Sequence, residues 1–254
     1  MPWHVARFAA AAAGWPLTEN ERRLLSLKNK CSGRRCFIIG NGPSLTKTPM
    51  EFLKEEITIG CNSIFLLFDR MGFAPSFYTV EDLLVAENQA SEIGSMRNST
   101  KVFPLDTRRF LRPDSGAIYV NFPRRYRGFP RFSERFERIV YFGGTVTYLN
   151  LQLAYYLGVK DIILVGMDHT FTRNSPLDER SGPIITSHSD DPDHFHPAYL
   201  KPGSRFHFPQ LDRMEVAYKK AKEFLAIRGV RIRNATIGGK LEIFDRVEFR
   251  SLFP

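Results

Sequence analysis

The sequence predicts an α/β fold, a mostly parallel sheet flanked by helices. Three observations carry that expectation. Residues 36–39 and 161–165 are short apolar runs with β-branched members, suited to strands buried on both faces. Each run stops abruptly, the first in Gly40-Asn41-Gly42-Pro43-Ser44 and the second in Gly166-Met167-Asp168. Helical stretches and further short strands alternate along the chain, as a parallel sheet requires. A turn at the carboxyl end of a central parallel strand is where such folds bind nucleotides and phosphates. Glycines in that turn permit positive φ and close approach of a ligand, and Pro43 fixes the exit path. The turn is neither a Gly-x-Gly-x-x-Gly fingerprint nor a phosphate loop ending in Gly-Lys-Ser/Thr.

The elements follow in order. Residues 1–34 read as an N-terminal helical extension and 35–254 as a single domain. The helix over 17–34 opens on a capping box, Thr18 with Glu21, and carries Leu24, Leu25 and Leu27 on its apolar face. After the first strand comes a short helix near 49–55. A strand over 57–60 then ends at Cys61-Asn62-Ser63, which places Asn62 as Asn41 is placed. Paired amides at two strand ends match a base or ribose through donors and acceptors. A strand over 76–80 precedes Glu81 and Asp82, with a helix running to about Met96. Strands at 101–104 and 117–120 lead into an Arg-, Phe- and Pro-rich stretch, 121–138, read as a loop or small subdomain over the site. Tyr141-Phe142-Gly143-Gly144-Thr145 opens an apolar helix, 146–157, whose small-residue start lets a helix N-terminus meet an anion.

Residues 172–211 carry Pro, Ser, Asp and His without a helix or strand pattern. Loops of that length are functional lids or disordered segments, and this one is read as a His-rich active-site lid. His169, His188, His194, His196 and His207 lie in or beside it. The helix over 212–228 repeats Met214, Ala217, Tyr218, Ala221, Phe224 and Leu225 at core-facing spacing. A strand over 230–234 and a glycine-bearing tail follow.

At 254 residues, 43% hydrophobic and 25% charged, the composition is that of an ordinary globular protein. No apolar stretch reaches the roughly 18–20 residues a membrane span needs. Residues 5–13 resemble a signal peptide only superficially, since Arg7 interrupts them and Gly14-Trp15-Pro16 follows. Three cysteines form neither a disulfide framework nor a zinc pattern, so a reducing cytoplasm is expected. The net charge of +9 calls for an anionic partner, and Arg124-Arg125-Tyr126-Arg127 is its densest cluster. No nucleic-acid-binding motif accompanies it, so no nucleic acid is expected.

Residues 37–45, Gly60-Cys61-Asn62, 143–145 and Val165-Gly166-Met167-Asp168 together resemble the motifs of a superfamily with a Rossmann-like fold. It contains Campylobacter-type sialyltransferases, motility-associated-factor glycosyltransferases and 6-hydroxymethylpterin diphosphokinase-like (MptE-like) proteins. The resemblance runs from about residue 34 to 250. Asp193-His194-Phe195-His196-Pro197 and the stretch from Asn234-Ala235-Thr236 to Phe244 are similar to bacterial members of the last branch. It implies a transferase with a nucleotide-activated donor, most nearly an inverting enzyme using a CMP-linked sugar on a cell-envelope glycan. By that resemblance Gly40, Asn41, Gly42, Pro43, Ser44, Asn62, Gly143, Gly144, Thr145 and Asp168 hold the nucleotide. His196 or His194 is the general base, imidazole titrating near the working pH. Glu81, Asp82, His188 and Tyr199 contact substrate or belong to the lid. No metal or cofactor is required on this reading. Two features depart from the pattern: Gly144 replaces a serine, and Thr170 or Phe171 stands where a phosphate-contacting tyrosine is expected, with Tyr199 as its substitute.

The alternative is an ATP-dependent pterin diphosphokinase, which needs magnesium on Glu81, Asp82 or Asp168, with Asp190, Asp191 and Asp193 as further ligands. A third reading is a catalytically silent nucleotide- or glycan-binding protein. The expected partners are a nucleotide-sugar donor and a glycan or lipid-linked acceptor. Peripheral contact with the inner face of the membrane and a homo-oligomer are both compatible with the sequence.

Overall fold

The computed structural model describes residues 3–111, 116–171, 184–186, 193–200 and 203–254. Its strands are β1 (Arg35–Ile39), β2 (Ile57–Cys61), β3 (Phe77–Thr79), β4 (Thr100–Pro104), β5 (Ile118–Val120), β6 (Asp161–Val165), β7 (Ile184–Thr186), β8 (Arg205–His207), β9 (Arg231–Asn234) and β10 (Asp245–Arg246). Eight form one sheet in the order β10-β9-β6-β1-β2-β3-β4-β5, and each described pairing in it is parallel. The chain walks outward from β1 to β5, then returns to lay β6 along the other side of β1. Strand order therefore reverses between β1 and β6. Ligands of open α/β sheets bind outside the carboxyl ends at such a point.

The helices are α1 (Trp3–Ala12), α2 (Glu19–Ser26), α3 (Phe68–Met71), α4 (Leu83–Asn88), α5 (Ala90–Ser95), α6 (Val146–Tyr156) and α7 (Leu211–Ala226). Side chains alternate across a strand, so β1 feeds two cores. Cys36 and Ile38 pack with Phe8, Leu24, Leu149 and Ala217, the face covered by α1, α2, α6 and α7. Phe37 and Ile39 pack on the other face with Leu45, Ile64, Tyr78, Phe195 and Phe249. All of α6 is buried except Tyr155, so its polar members need partners. The Gln152 carbonyl accepts from the amides of Ser133 (3.1 Å) and Tyr141 (3.0 Å), which fixes the irregular 121–145 stretch onto the core.

The N-terminal residues share that core. Glu21, fully buried, closes the capping box on Thr18 and faces Arg7 Nε at 3.2 Å. Asn20 brackets β5, its amide donating to Tyr119 O (2.9 Å) and accepting from Tyr119 N (2.7 Å). A side chain thus occupies backbone groups that an edge strand leaves open.

Several local expectations change. The helix expected over 17–34 is confined to α2, and the residues after it turn to bond the end of α6, Asn29 N to Tyr156 O and Cys31 N to Leu157 O. The helix near 49–55 is a 3-10 turn, Met50–Leu53. The helix expected up to Met96 divides into α4 and α5 at Gln89, whose φ of −115° and ψ of 17° leave the helical basin. The 172–211 stretch, expected to be without strands, contains the antiparallel β7–β8 pair.

The glycines after β1 also differ in role. Neither Gly40 nor Gly42 has positive φ; that of Gly42 is −71°. They are needed because the turn after β6 lies directly against them. A Cβ at Gly40 would run into Gly166 O and Met167 Sδ, and one at Gly42 into the Asp168 carboxylate. Gly40→Ala is therefore expected to destabilise the fold by about 2 kcal/mol or more, since backbone is the obstacle. Gly94→Ala, in α5 with open space around it, should be neutral or stabilising by up to about 1 kcal/mol. Urea unfolding of the two variants, compared through their midpoints, checks the contrast.

Candidate functional site

The floor of the site is made by the turns after β1 and β6. Gly40 N donates to Val165 O (2.8 Å) and Gly42 N to Gly166 O (2.9 Å), which continues the β1–β6 ladder beyond the strands. Pro43 opens a 3-10 turn, Pro43–Thr46, in which Ser44 donates twice to Asp168. Its amide reaches Oδ1 at 3.1 Å and its hydroxyl Oδ2 at 2.6 Å. Burial raises the Asp168 carboxyl above its ordinary range, while both Ser44 bonds pull it back. Gly40, Gly42, Pro43, Ser44 and Asp168 thus come together as two interlocked turns, and the Asp168 carboxylate is engaged within the protein.

Asn41 projects from this lock toward β2. Its Nδ2 donates to Cys61 Sγ at 3.3 Å, and its backbone carbonyl accepts from Phe195 N at 3.0 Å. Burial pushes the Cys61 thiol up to about 12, so it stays neutral, and it donates weakly to Ile39 O. Asn62 follows Cys61 with φ of 51°, the left-handed region asparagine tolerates, and its carbonyl accepts from Tyr78 OH at 2.5 Å. Both side-chain oxygens, Asn41 Oδ1 and Asn62 Oδ1, are buried with no hydrogen-bond partner among the described residues. Flipping either amide exchanges acceptor for donor and leaves a polar atom unpartnered in the same place. Asn150 of α6 completes this group: Oδ1 accepts from Thr79 Oγ1 at 2.6 Å, beside Cys61.

The N-terminus of α6 forms a second wall. Gly143 lies so close to the Tyr148 ring that a Cβ would overlap it, and Gly144 takes φ of 84°. Thr145 caps the helix, its hydroxyl accepting from Thr147 N at 3.3 Å. Tyr218 of α7 lies beside Thr147 and Thr145, and burial, opposed by those neighbours, pushes its phenol up to about 12.

Three neighbours lay outside the sequence-based site. His169, at φ of 55°, sets Nε2 3.3 Å from Glu215 Oε1 and its ring 6.1 Å from that of Tyr218. Arg213 holds its guanidinium 4.4 Å from the Phe129 ring and 5.3 Å from Phe142, with its stem near Gly144. Arg213 and Glu215 flank Met214, the first member of the apolar stripe of α7. That position, straight after the long irregular stretch, is the signal that would have found them.

The other expected residues are placed as follows. His194 stacks on Tyr199 at 3.7 Å and 7°. His196 accepts from Ala198 N on Nδ1 at 3.1 Å, so its neutral ring carries the proton on Nε2. His188, Asp190 and Asp191 lie outside the described residues. Glu81 is buried against Arg124, whose Nη1 stands 3.2 Å from Oε2 and whose Nη2 donates to the Glu81 carbonyl at 2.7 Å. Arg124 also donates to both carboxylate oxygens of Asp106. Two acids thus neutralise the head of the basic cluster expected to face an anionic partner. Asp82 caps α4 through Leu84 N (2.7 Å) and meets His207 Nδ1 at 2.8 Å, while Asn88 donates to Arg205 O at 2.9 Å. These contacts tie β8 to α4.

Three of the carboxylates offered for magnesium have partners within the protein. Asp168 is held by Ser44, Glu81 by Arg124, and Asp82 by a helix end and a histidine. Among the described residues, no cluster of three or more His, Cys, Asp or Glu is placed to hold a metal.

Burial pushes the Glu81 carboxyl up to about 7, outweighing the pull of the shared Arg124 charge. Its ordinary value is 4.5, so the neutral form favours the fold. That contribution is complete below the ordinary value and is lost as pH rises through about 7. Stability is therefore expected to fall between about pH 5 and 8. Glu81→Gln should flatten the fall, as read from denaturation midpoints at the two ends of that range.

A family model for 6-hydroxymethylpterin diphosphokinase MptE-like proteins matches residues 16–174, from just ahead of α2 to beyond the Asp168 turn. Among solved structures, the MAf glycosyltransferase from Magnetospirillum magneticum AMB-1 is similar, with a TM-score of 0.52 and 16% identity. The match covers 99% of this chain and 39% of that one, so this chain spans well under half its length. At such identity the likeness is one of fold. No curated protein matches the sequence.

Proposed function

Because the chain belongs to the 6-hydroxymethylpterin diphosphokinase MptE-like family, we propose that it is a transferase that binds its donor at the β1–β6 switch point through the nucleotide. We favour glycosyl transfer from a CMP-linked sugar to a glycan or lipid-linked acceptor. One observation carries the reading: the two unpartnered side-chain oxygens of Asn41 and Asn62. A buried carbonyl without a donor costs about 1–3 kcal/mol, which a ligand bearing an exocyclic amine or ribose hydroxyls offsets. Cytosine supplies such an amine.

The rest of the site accommodates the remainder of the donor. Amides near Gly143, Gly144 and Thr145 face the phosphate at the start of α6, where the helix dipole favours negative charge. The acceptor oxygen attacks the anomeric carbon, the bond from that carbon to the phosphate oxygen breaks, and CMP leaves. The acceptor proton passes to an imidazole. His194 and His196 are the assigned bases. For His196 to serve, its Nδ1 has to give up the Ala198 amide, which couples proton transfer to movement of the 193–199 turn. Diphosphoryl transfer from ATP is the second reading, favoured by the family's description. It requires magnesium, and Asp168, Glu81 and Asp82 would have to bind it in place of or beside their present partners.

Calorimetric titration with CMP, CDP and ATP, each with and without magnesium, separates the readings. CMP should bind without metal, and Asn41→Ala or Asn62→Ala should weaken it by roughly tenfold to a hundredfold, the equivalent of one to two lost hydrogen bonds. Magnesium-dependent binding of ATP with no response to CMP would overturn glycosyl transfer.

A further inference from the structure

We propose that α1 and the turn after it form a docking surface for an anionic membrane, on which the protein lies without crossing the bilayer. The first observation is where charge is missing. Among residues 3–17 the one side chain with a fixed charge is Arg7, and it is turned inward to Glu21, with only 13% of its side chain exposed. Phe8 and Ala11 face the core. The outward side is left to Trp3, His4, alanines, Gly14, Trp15 and Leu17. For a chain of net charge +9, an outer helix with no exposed ionic side chain is the exception to its own surface.

The second observation is where the tryptophans are. The chain has two, Trp3 and Trp15, and they are 67% and 74% exposed, with Leu17 at 49%. One opens α1; the other follows its last turn, Trp15 N donating to Ala10 O at 2.9 Å. They bracket a helix about 15 Å long. Indole is amphipathic and favours the headgroup level, so a helix with a ring at each end is suited to lie in the interface plane.

Charge complementarity selects the occupant. Asn20, three residues past Leu17, holds Tyr119, and the Arg108 guanidinium lies 5.8 Å from the centre of that ring. Arg109 follows beside Phe110, and the exposed side of α2 adds Arg22 and Arg23 against Glu19. Cations on α2, which packs on α1, and on the turn over β5, which packs on α2, match anionic headgroups around an acyl boundary. A second copy of the chain is the weaker fit. A ten-residue helix offers on the order of 150–300 Å², against roughly 800 Å² per partner in a stable dimer.

Because the chain's full set of tryptophans lies on this surface, its intrinsic emission reports the contact directly. The full chain is mixed with vesicles of phosphatidylcholine alone and of phosphatidylcholine with phosphatidylglycerol, then followed by fluorescence and flotation. The anionic vesicles should shift the emission to the blue, brominated acyl chains should quench it, and the protein should float with the lipid. Neutral vesicles should do much less. The double variant Trp3→Ser, Trp15→Ser should unfold at the same urea concentration as the parent but remain in the protein-only fraction. Arg108→Glu should weaken flotation while leaving the unfolding midpoint in place. Unshifted emission with no flotation would overturn the proposal. So would a lipid-free, concentration-dependent dimer that the tryptophan substitutions abolish, since that outcome assigns the surface to a second copy.

Discussion

A single buried carboxylate holds the two halves of the sheet in register at their functional end. Asp168, leaving β6, takes both the amide and the hydroxyl of Ser44, which leaves β1. Hydrogen bonds to an ionised group are stronger than neutral ones, and burial removes the water that would compete for them. The lock leaves no room between the turns, which is why glycine stands at 40, 42 and 166. What sequence reading takes for a phosphate cradle is first a joint between strands. The polar groups the joint leaves over are the side-chain oxygens of Asn41 and Asn62.

Those asparagines sit on supports of different kinds. Asn41 is held from below by the joint and from the side by a neutral thiol, while its carbonyl carries Phe195. The same residue therefore borders the crevice and anchors the 193–199 turn. Asn62 is set by its backbone, left-handed at the end of β2, with its carbonyl held by Tyr78. The opposite wall rests on Tyr218, a core residue of α7 that lies beside the threonines at the start of α6. Core packing and site geometry share side chains here.

The sheet was legible because its central strands are short apolar runs with abrupt ends, a pattern set by burial on both faces. The turns after β1 and β6 were legible for the same reason, as were the matching places of Asn41 and Asn62 beyond β1 and β2. Chain contacts between distant residues were not. Nothing local marks Asp168 as the partner of Ser44, or Arg124 as shared by Glu81 and Asp106. Helix lengths were overestimated where tertiary bonds replaced helical ones, as at Asn29 and Cys31, which turn to the end of α6. The β7–β8 pair escaped detection because its strands are three residues long, too short for an alternation to stand out. His169, Arg213 and Glu215 were missed because their significance lies in which elements meet.

The joint between β1 and β6 spans 124 positions of sequence. During synthesis β1 to β4 can pair one after another as they emerge, since each new strand lies beside its predecessor. The crevice cannot exist at that stage, because one of its sides has not been made. Closing so long a loop is entropically costly and late, which places this protein among slow-folding topologies. The two turns that frame the candidate site are then brought together at one step, after Asp168 has left the ribosome and met Ser44. Any ligand held across both turns would capture the closed form and shift the balance toward it.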